Sequence, residues 1–263
     1  RRGVFIGLAA VVVAVVAGGA VALEQRSTAA HKDDPGPTPS PPPSRASGVR
    51  SDPRPVVAGW KVTLAPQYGI AYDAPPTWKK DDPDYAIWFE DAKRNILAAE
   101  KGVSEISQGK CSRAVAGLRG GSRPVLKPSK DQLGTLQSAA GDEARKWAAA
   151  AYGEAGAHPS PPRTNTRGGG IITVNGIDAA YASVTVTPTG NRDACTPPHA
   201  VVETVAMAAT PGSSSVGPVF FTVFADRNVG GQVADGDLKK IISSIRPYSC
   251  TQGTAPQKNN RCA

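Results

Sequence analysis

Ile171-Ile172-Thr173-Val174-Asn175-Gly176-Ile177-Asp178-Ala179-Ala180-Tyr181-Ala182-Ser183-Val184-Thr185-Val186-Thr187 is the stretch from which the fold is read. Two runs suited to strands flank Asn175-Gly176, a pair that tolerates the φ > 0 positions of a type I′ turn. The stretch therefore predicts an antiparallel hairpin. Outward from it, Ala200 to Ala209 and Val219 to Ala225 alternate like two further antiparallel strands. Asp235 or Asp237 is placed to cap a last helix, in which Leu238, Ile241, Ile242 and Ile245 share one face and which Pro247 ends. On the amino side, His158 to Gly170 reads as a loop of Pro, Asn and Gly. Gly168-Gly169-Gly170 after Arg167 could cradle an anion, but they precede a strand rather than a helix, so a flexible lead into the hairpin is the better reading. Leu133 to Tyr152 reads as a helix capped at Ser129, because Ala140, Ala144, Trp147 and Ala151 recur every three or four residues. Val57 to Leu64, Gly69 to Asp73 and Tyr85 to Phe89 are candidate strands, and Asn95 to Ile106 gives one or two more around Gly102. The sum is an α+β domain, a mostly antiparallel sheet with one long and one short helix packed on it.

The first part of the chain has a different character. Residues 3–23 are uncharged and mostly apolar, and Arg1-Arg2 precede them. A helix over this stretch covers the ~30 Å core of a bilayer. The basic flank lies on the amino side, so residues 1–23 predict a transmembrane helix with the rest of the chain outside the cytoplasm. A cleaved signal peptide ending near Ala20-Val21-Ala22 and a twin-arginine export signal are the rival readings. Residues 24–55 carry eight prolines among Gly, Ser, Thr and charges, with almost nothing apolar to bury. They predict a disordered Pro/Ser/Thr-rich stalk, which at ~3.1 Å per residue reaches up to ~90 Å. Residues 56–263 then form the extracytoplasmic domain.

Charge excludes little. The chain holds 30 Lys+Arg against 22 Asp+Glu, a net +8. Nucleic-acid binding wants a basic stripe with interleaved aromatics, whereas aromatics are 6% here and the excess is spread out. Nucleic acid is accordingly not an expected partner. A mild attraction to anionic wall polymers or lipid headgroups fits as well as anything, and a solvated basic surface is the plainer reading. The expected partners are the membrane itself through residues 3–23 and an envelope protein or wall polymer.

The order of motifs carries a resemblance. A strand with Trp60 is followed by Tyr72-Asp73-Ala74-Pro75-Pro76-Thr77-Trp78 and Gly109-Lys110-Cys111. Trp147-Ala148, Ala151-Tyr152, Asn175-Gly176 and Ile241-Ile242-Ser243-Ser244-Ile245-Arg246-Pro247 come after them. Across residues 56–250 this resembles the extracytoplasmic domain of a family of single-pass membrane proteins from Streptomyces-type actinomycetes. The opening and the Ser-Ile-Arg-Pro ending are also similar to the Mog1/PsbP-like sandwich of mycobacterial envelope lipoproteins. This chain departs from that opening by one inserted proline, and it lacks the lipoprotein cysteine. The resemblance implies a fold and an envelope address, and no activity.

Cys111, Cys195, Cys250 and Cys262 are even in number, as two disulfides in an oxidising compartment require. Of three connectivities, Cys111–Cys195 with Cys250–Cys262 is favoured. Cys195-x-x-x-His199 is half a zinc pattern with no second pair nearby, so no metal and no cofactor is expected. No nucleophile elbow, metalloprotease helix or phosphate loop is present. His158 and His199 stand beside prolines, away from any Ser/Asp spacing that asks for a triad. Asp81, Asp82 and Asp84 read as a solvated turn rather than a calcium loop. Trp78 and Trp88 are the candidate ligand-binding residues, as aromatic platforms, although such tryptophans more often belong to the core or its edge. The expected function is a membrane-anchored extracytoplasmic binding module for a protein partner or an envelope component, without catalysis. A wall hydrolase or transferase with an unrecognised site, and a passive structural protein, are the alternatives.

Overall fold

The computed structural model of the chain describes residues 54–121, 130–154, 160–189, 193–208 and 217–248. The expected membrane helix, nearly all of the expected stalk, Ser129, His158, Cys250 and Cys262 lie outside the described residues. Among the described residues no helix is long and apolar enough to cross a membrane.

The strands are β1 (Lys61–Ala65), β2 (Ile70–Ala74), β3 (Lys79–Lys80), β4 (Ala86–Glu90), β5 (Ile96–Gln108), β6 (Cys111–Gly120), β7 (Arg163–Val174), β8 (Ile177–Thr187), β9 (His199–Met207), β10 (Val219–Arg227) and β11 (Arg246–Pro247). The helices are α1 (Lys130–Tyr152) and α2 (Asp235–Ser243), with a 3₁₀ turn at Pro66–Tyr68. An eight-stranded sheet runs β3-β5-β6-β10-β9-β8-β7, with β4 beside the first half of β5, and a small sheet runs β1-β2-β11. The pairings described are all antiparallel. The architecture is α+β, as the hairpin and the helix periodicities predict.

The large sheet is covered on both faces. Val115, Val184, Val202, Phe220 and Phe224 pack against α1 through Leu136, Ala140, Ala144, Trp147 and Ala148. The alanines keep that helix close to the sheet, and Trp147 stacks on Phe224 with ring centroids 5.7 Å apart. On the other face Leu118, Val201, Val205, Phe221 and Val223 meet Ile70, Tyr72 and Trp78 with Leu238 and Ile241 of α2 and Ile245 just after it. β9 and β10, buried on both faces, carry the most continuous apolar runs.

Two local expectations are corrected, the loop and the cap. Residues 163–170 are not a loop: they begin β7, paired to β8 from Arg163↔Thr187 onward. Asn95 to Ile106, expected as one or two strands around Gly102, is one. β5 runs through it with a bulge, and a Cβ on Gly102, whose φ is +60°, would stand 2.7 Å from that of Ala65. Asp235 and Asp237 do not cap α2: its N-cap is Ala234, without a side-chain cap, and both aspartates lie in the first turn. The Cys111–Cys195 disulfide forms as favoured, with its Cα atoms 5.1 Å apart.

The motifs of the resemblance bond to each other. Asp73 accepts from the backbone N–H groups of Val56 (2.7 Å) and Val57 (2.9 Å), and from Arg246 Nη1 at 2.9 Å. Its own N–H donates to Ser244 Oγ at 2.8 Å. The start and the end of the described domain are thus fastened by one buried ion pair.

Candidate functional site

The side chains singled out from the sequence do not converge. Trp78 is 2% exposed in the core and offers no face to a ligand arriving from solvent. Trp88 is half-buried on β4, opposite Ala99 and on the face away from Ile87 and Phe89. His199 opens β9 and sits exposed, with Nδ1 3.3 Å from Thr187 Oγ1. Asp82 and Asp84 form the expected solvated turn, and Asp81 pairs with Lys79 at 2.5 Å. Among the described residues no group of three His, Cys, Asp or Glu is arranged to hold a metal.

A different set of residues does converge, around Glu203 in the middle of β9. Alternation turns Glu203 to the face that carries Val201 and Val205, beside Ser183 of β8. Glu203 is 6% exposed. Ser183 Oγ stands 3.5 Å from its Oε1, and its buried Oε2 has no hydrogen-bond partner. β7 contributes Arg167 by a bulge: Thr166 pairs with Val184 and Gly168 with Ser183, which leaves Arg167 as the extra residue and re-aims its side chain. Arg167 Nη2 donates to Asp235 Oδ2 at 2.8 Å. Arg227, last in β10, donates from Nη2 to the same carboxylate, Oδ1 at 2.7 Å, and from Nη1 to the Val233 carbonyl. Two guanidiniums from separate strands therefore share the carboxylate of the first residue of α2. Asn228, Gln232, Val233 and Ala234 complete an open cleft of about 400 Å³ around them.

The electrostatics follow from burial and from this pairing. Burial holds the Glu203 carboxyl above the usual range, although the Tyr181 hydroxyl, Arg167 and Arg227 pull against it. Tyr181 is pushed up to about 12, by burial first and by the charge of Glu203 next. The Arg167 hydrogen bond keeps Asp235 low, and Asp235 in turn raises Arg167. Burial lowers Arg227. The cleft is thus lined by two cations and one ionised carboxylate, and within their electrostatic reach lies Glu203, whose carboxyl burial holds above the usual range.

A second acidic cluster lies on the opposite face, under α1. Glu143 receives Arg119 through both Nε and Nη2, and Trp147 Nε1 at 2.8 Å. Glu100 of β5 is beside it, with Oε1 buried and unpartnered. Burial, then the nearby Glu143, raise its pKa well above the ordinary value. The two residues are 2% and 3% exposed, so this carboxyl pair has no access for a substrate and cannot share a proton with one.

The sequence does not assemble the cleft: Arg167 falls in a stretch that reads as a loop, before glycines weighed as an anion cradle, and Asp235 reads as a cap. The one available signal was Glu203 itself, a charge inside Ala200-Val201-Val202-Glu203-Thr204-Val205, where a central strand admits only apolar residues without a reason.

Residues 53–250 match the family model described as Domain of unknown function (DUF8017). No curated protein matches the chain. Among solved structures, the chain is similar to the solution structure of cyanobacterial PsbP (CyanoP) from Synechocystis sp. PCC 6803. The likeness has 11% identity, covers 77% of this chain and 96% of that one, and has a TM-score of 0.36.

Proposed function

We propose that this chain, which belongs to the family described as Domain of unknown function (DUF8017), is a membrane-anchored binding module displayed outside the cytoplasm. Residues 3–23 hold it in the membrane, residues 24–55 raise it as a stalk, and the folded domain recognises an envelope component of actinomycete type. The observation that carries this reading is the cleft. Two arginines from separate strands converge on one exposed carboxylate in an open cleft, an arrangement of donors suited to recognition. The Cys111–Cys195 disulfide supports the address, since such bonds persist in oxidising compartments.

Cross-linking of the full chain in living cells tests the reading. The expected result is one dominant envelope component, protein or polymer, that co-purifies with the chain, together with protease access to the domain from outside. Recovery of no envelope component, or turnover of wall fragments by the purified chain, overturns it.

A further inference from the structure

The Arg167–Asp235–Arg227 bridge is a costly arrangement for a merely structural contact. β7 gives up ladder pairing at the bulge to aim Arg167, and Arg227 is only 14% exposed in its side chain. The carboxylate they share is by contrast 54% exposed. An exposed ion pair is worth about 0–1 kcal/mol. The scaffold around the two guanidiniums is therefore firm, and the carboxylate between them stays open to solvent.

Three further features of the cleft favour the same kind of occupant. α2 starts at Ala234 with no side-chain cap, and Ala234 and Asp235 line the cleft, so the positive end of the helix dipole lies beside it. The buried, unpartnered Oε2 of Glu203 stands within electrostatic reach of Arg167, Arg227 and Asp235. Burial raises the Glu203 carboxyl, which lessens the repulsion an anion would meet there. Asn228 and Gln232 add amide donors at the rim. A cationic ligand would meet two guanidiniums, and an apolar one would find only Val233 and Ala234. About 400 Å³ suffices for one acidic group and the sugar that bears it, being within the about 300–1,000 Å³ of ordinary ligand sites.

We infer that Arg167 and Arg227 form a binding site for an oxyanion, the phosphate or carboxylate of an acidic envelope polymer, and that Asp235 fills this site as a built-in surrogate which the ligand displaces. The inference rests on the binding-module reading and names its ligand class. Planar guanidiniums suit both groups, because each presents two oxygens to a fork of N–H donors.

The test is calorimetric titration of the full chain with inorganic phosphate, glycerol phosphate and glucuronate at low salt. Arg167→Ala is the decisive variant, because Arg227→Ala also removes the bond to the Val233 carbonyl. Wild type binds at least one of the three probes, Arg167→Ala binds none, and Asp235→Asn binds up to about fivefold more tightly, the equivalent of the surface ion pair it removes. Phosphates alone point to a phosphodiester polymer, glucuronate alone to an acidic polysaccharide, and binding of all three to the shared oxyanion chemistry. No binding by wild type, or equal binding by wild type and Arg167→Ala, overturns the site. Weaker or unchanged binding by Asp235→Asn overturns the surrogate. Cross-linking of Arg167→Ala in cells separates the two levels: capture of the wild-type partner by this variant ends the oxyanion site and leaves the module, whereas no capture by either chain ends the module.

Discussion

Two glutamates stand in one sheet, on opposite faces, and each keeps a buried carboxyl oxygen without a hydrogen-bond partner: Glu100 in β5 and Glu203 in β9. In each case burial is the first cause of a raised pKa. Their surroundings differ. The cation beside Glu100 is Arg119, already held by Glu143 under the cover of α1. The cations beside Glu203 are Arg167 and Arg227, held by an aspartate that is half in solvent. On the α1 face the acid and its cation are both enclosed by packing, whereas on the α2 face the cations beside the acid line an opening. A perturbed carboxyl therefore does not by itself mark a site, and the freedom of its neighbours to change partner is what distinguishes the two.

The largest difference is expected from removal of one charge at each place. Glu143→Gln leaves Arg119 buried for three-quarters of its side chain without its carboxylate, and breaking such a pair costs about 3 kcal/mol. Asp235→Asn removes an exposed partner and costs about 1 kcal/mol or less. Urea unfolding of the two variants measures both. Equal losses would mean that the Asp235 bridge is as structural as the Arg119–Glu143 pair, and the contrast between the faces would fail.

Glycine substitutions sharpen the contrast at smaller cost. A Cβ on Gly117 would stand 2.7 Å from Cγ and Cδ of Glu100, whereas a Cβ on Gly168, across from Ser183, would meet nothing within 4 Å. Gly117→Ala forces Glu100 to move in a closed interior and is expected to destabilise by about 1–3 kcal/mol. Gly168→Ala is expected to stay within about 0.5 kcal/mol of wild type. Thermal melts decide, and a Gly168→Ala loss as large as that of Gly117→Ala would show that β7 is as tightly covered as β6.

What was legible in the sequence was local. The hairpin at Asn175-Gly176 carries its own turn chemistry: Asn175 and Gly176 have φ of +47° and +81°, and strand β8 has the bounds its alternation suggests. α1 was legible because its alanines and Trp147 repeat on one face. β6 was not read as a strand. Cys111 to Gly120 is short of bulky alternating residues, and its strand character comes from pairing with β5 and β10 on either side. The first half of β7 was missed for the same reason, since three glycines look like a loop until β8 is beside them. The cleft could not be seen at all: Arg167 and Asp235 are 68 residues apart, and a bulge unites them. Trp78, read as a platform, had the size of one but went to the core.

The smallest and most discriminating effect is in pH. Glu100 and Glu203 both hold their protons more tightly in the folded chain than in the unfolded one, where a glutamate titrates near about 4.3. Below that value both states are protonated and the stability tied to these groups is fully present. As pH rises, the unfolded chain releases protons that the folded chain keeps, so stability falls until the folded values are passed. Glu100→Gln should flatten that fall more than Glu203→Gln, because Tyr181, Arg167 and Arg227 all ease the charge on Glu203 and only Arg119 eases that on Glu100. Urea midpoints followed from about pH 4 to pH 8 give the two slopes. Phosphate then separates the faces. An oxyanion seated on Arg167 and Arg227 adds negative charge beside Glu203, which holds its proton to still higher pH, and it leaves the Glu100 contribution where it was. If added phosphate changes the two contributions alike, the acids share one field, and the division between an enclosed face and an open one is wrong.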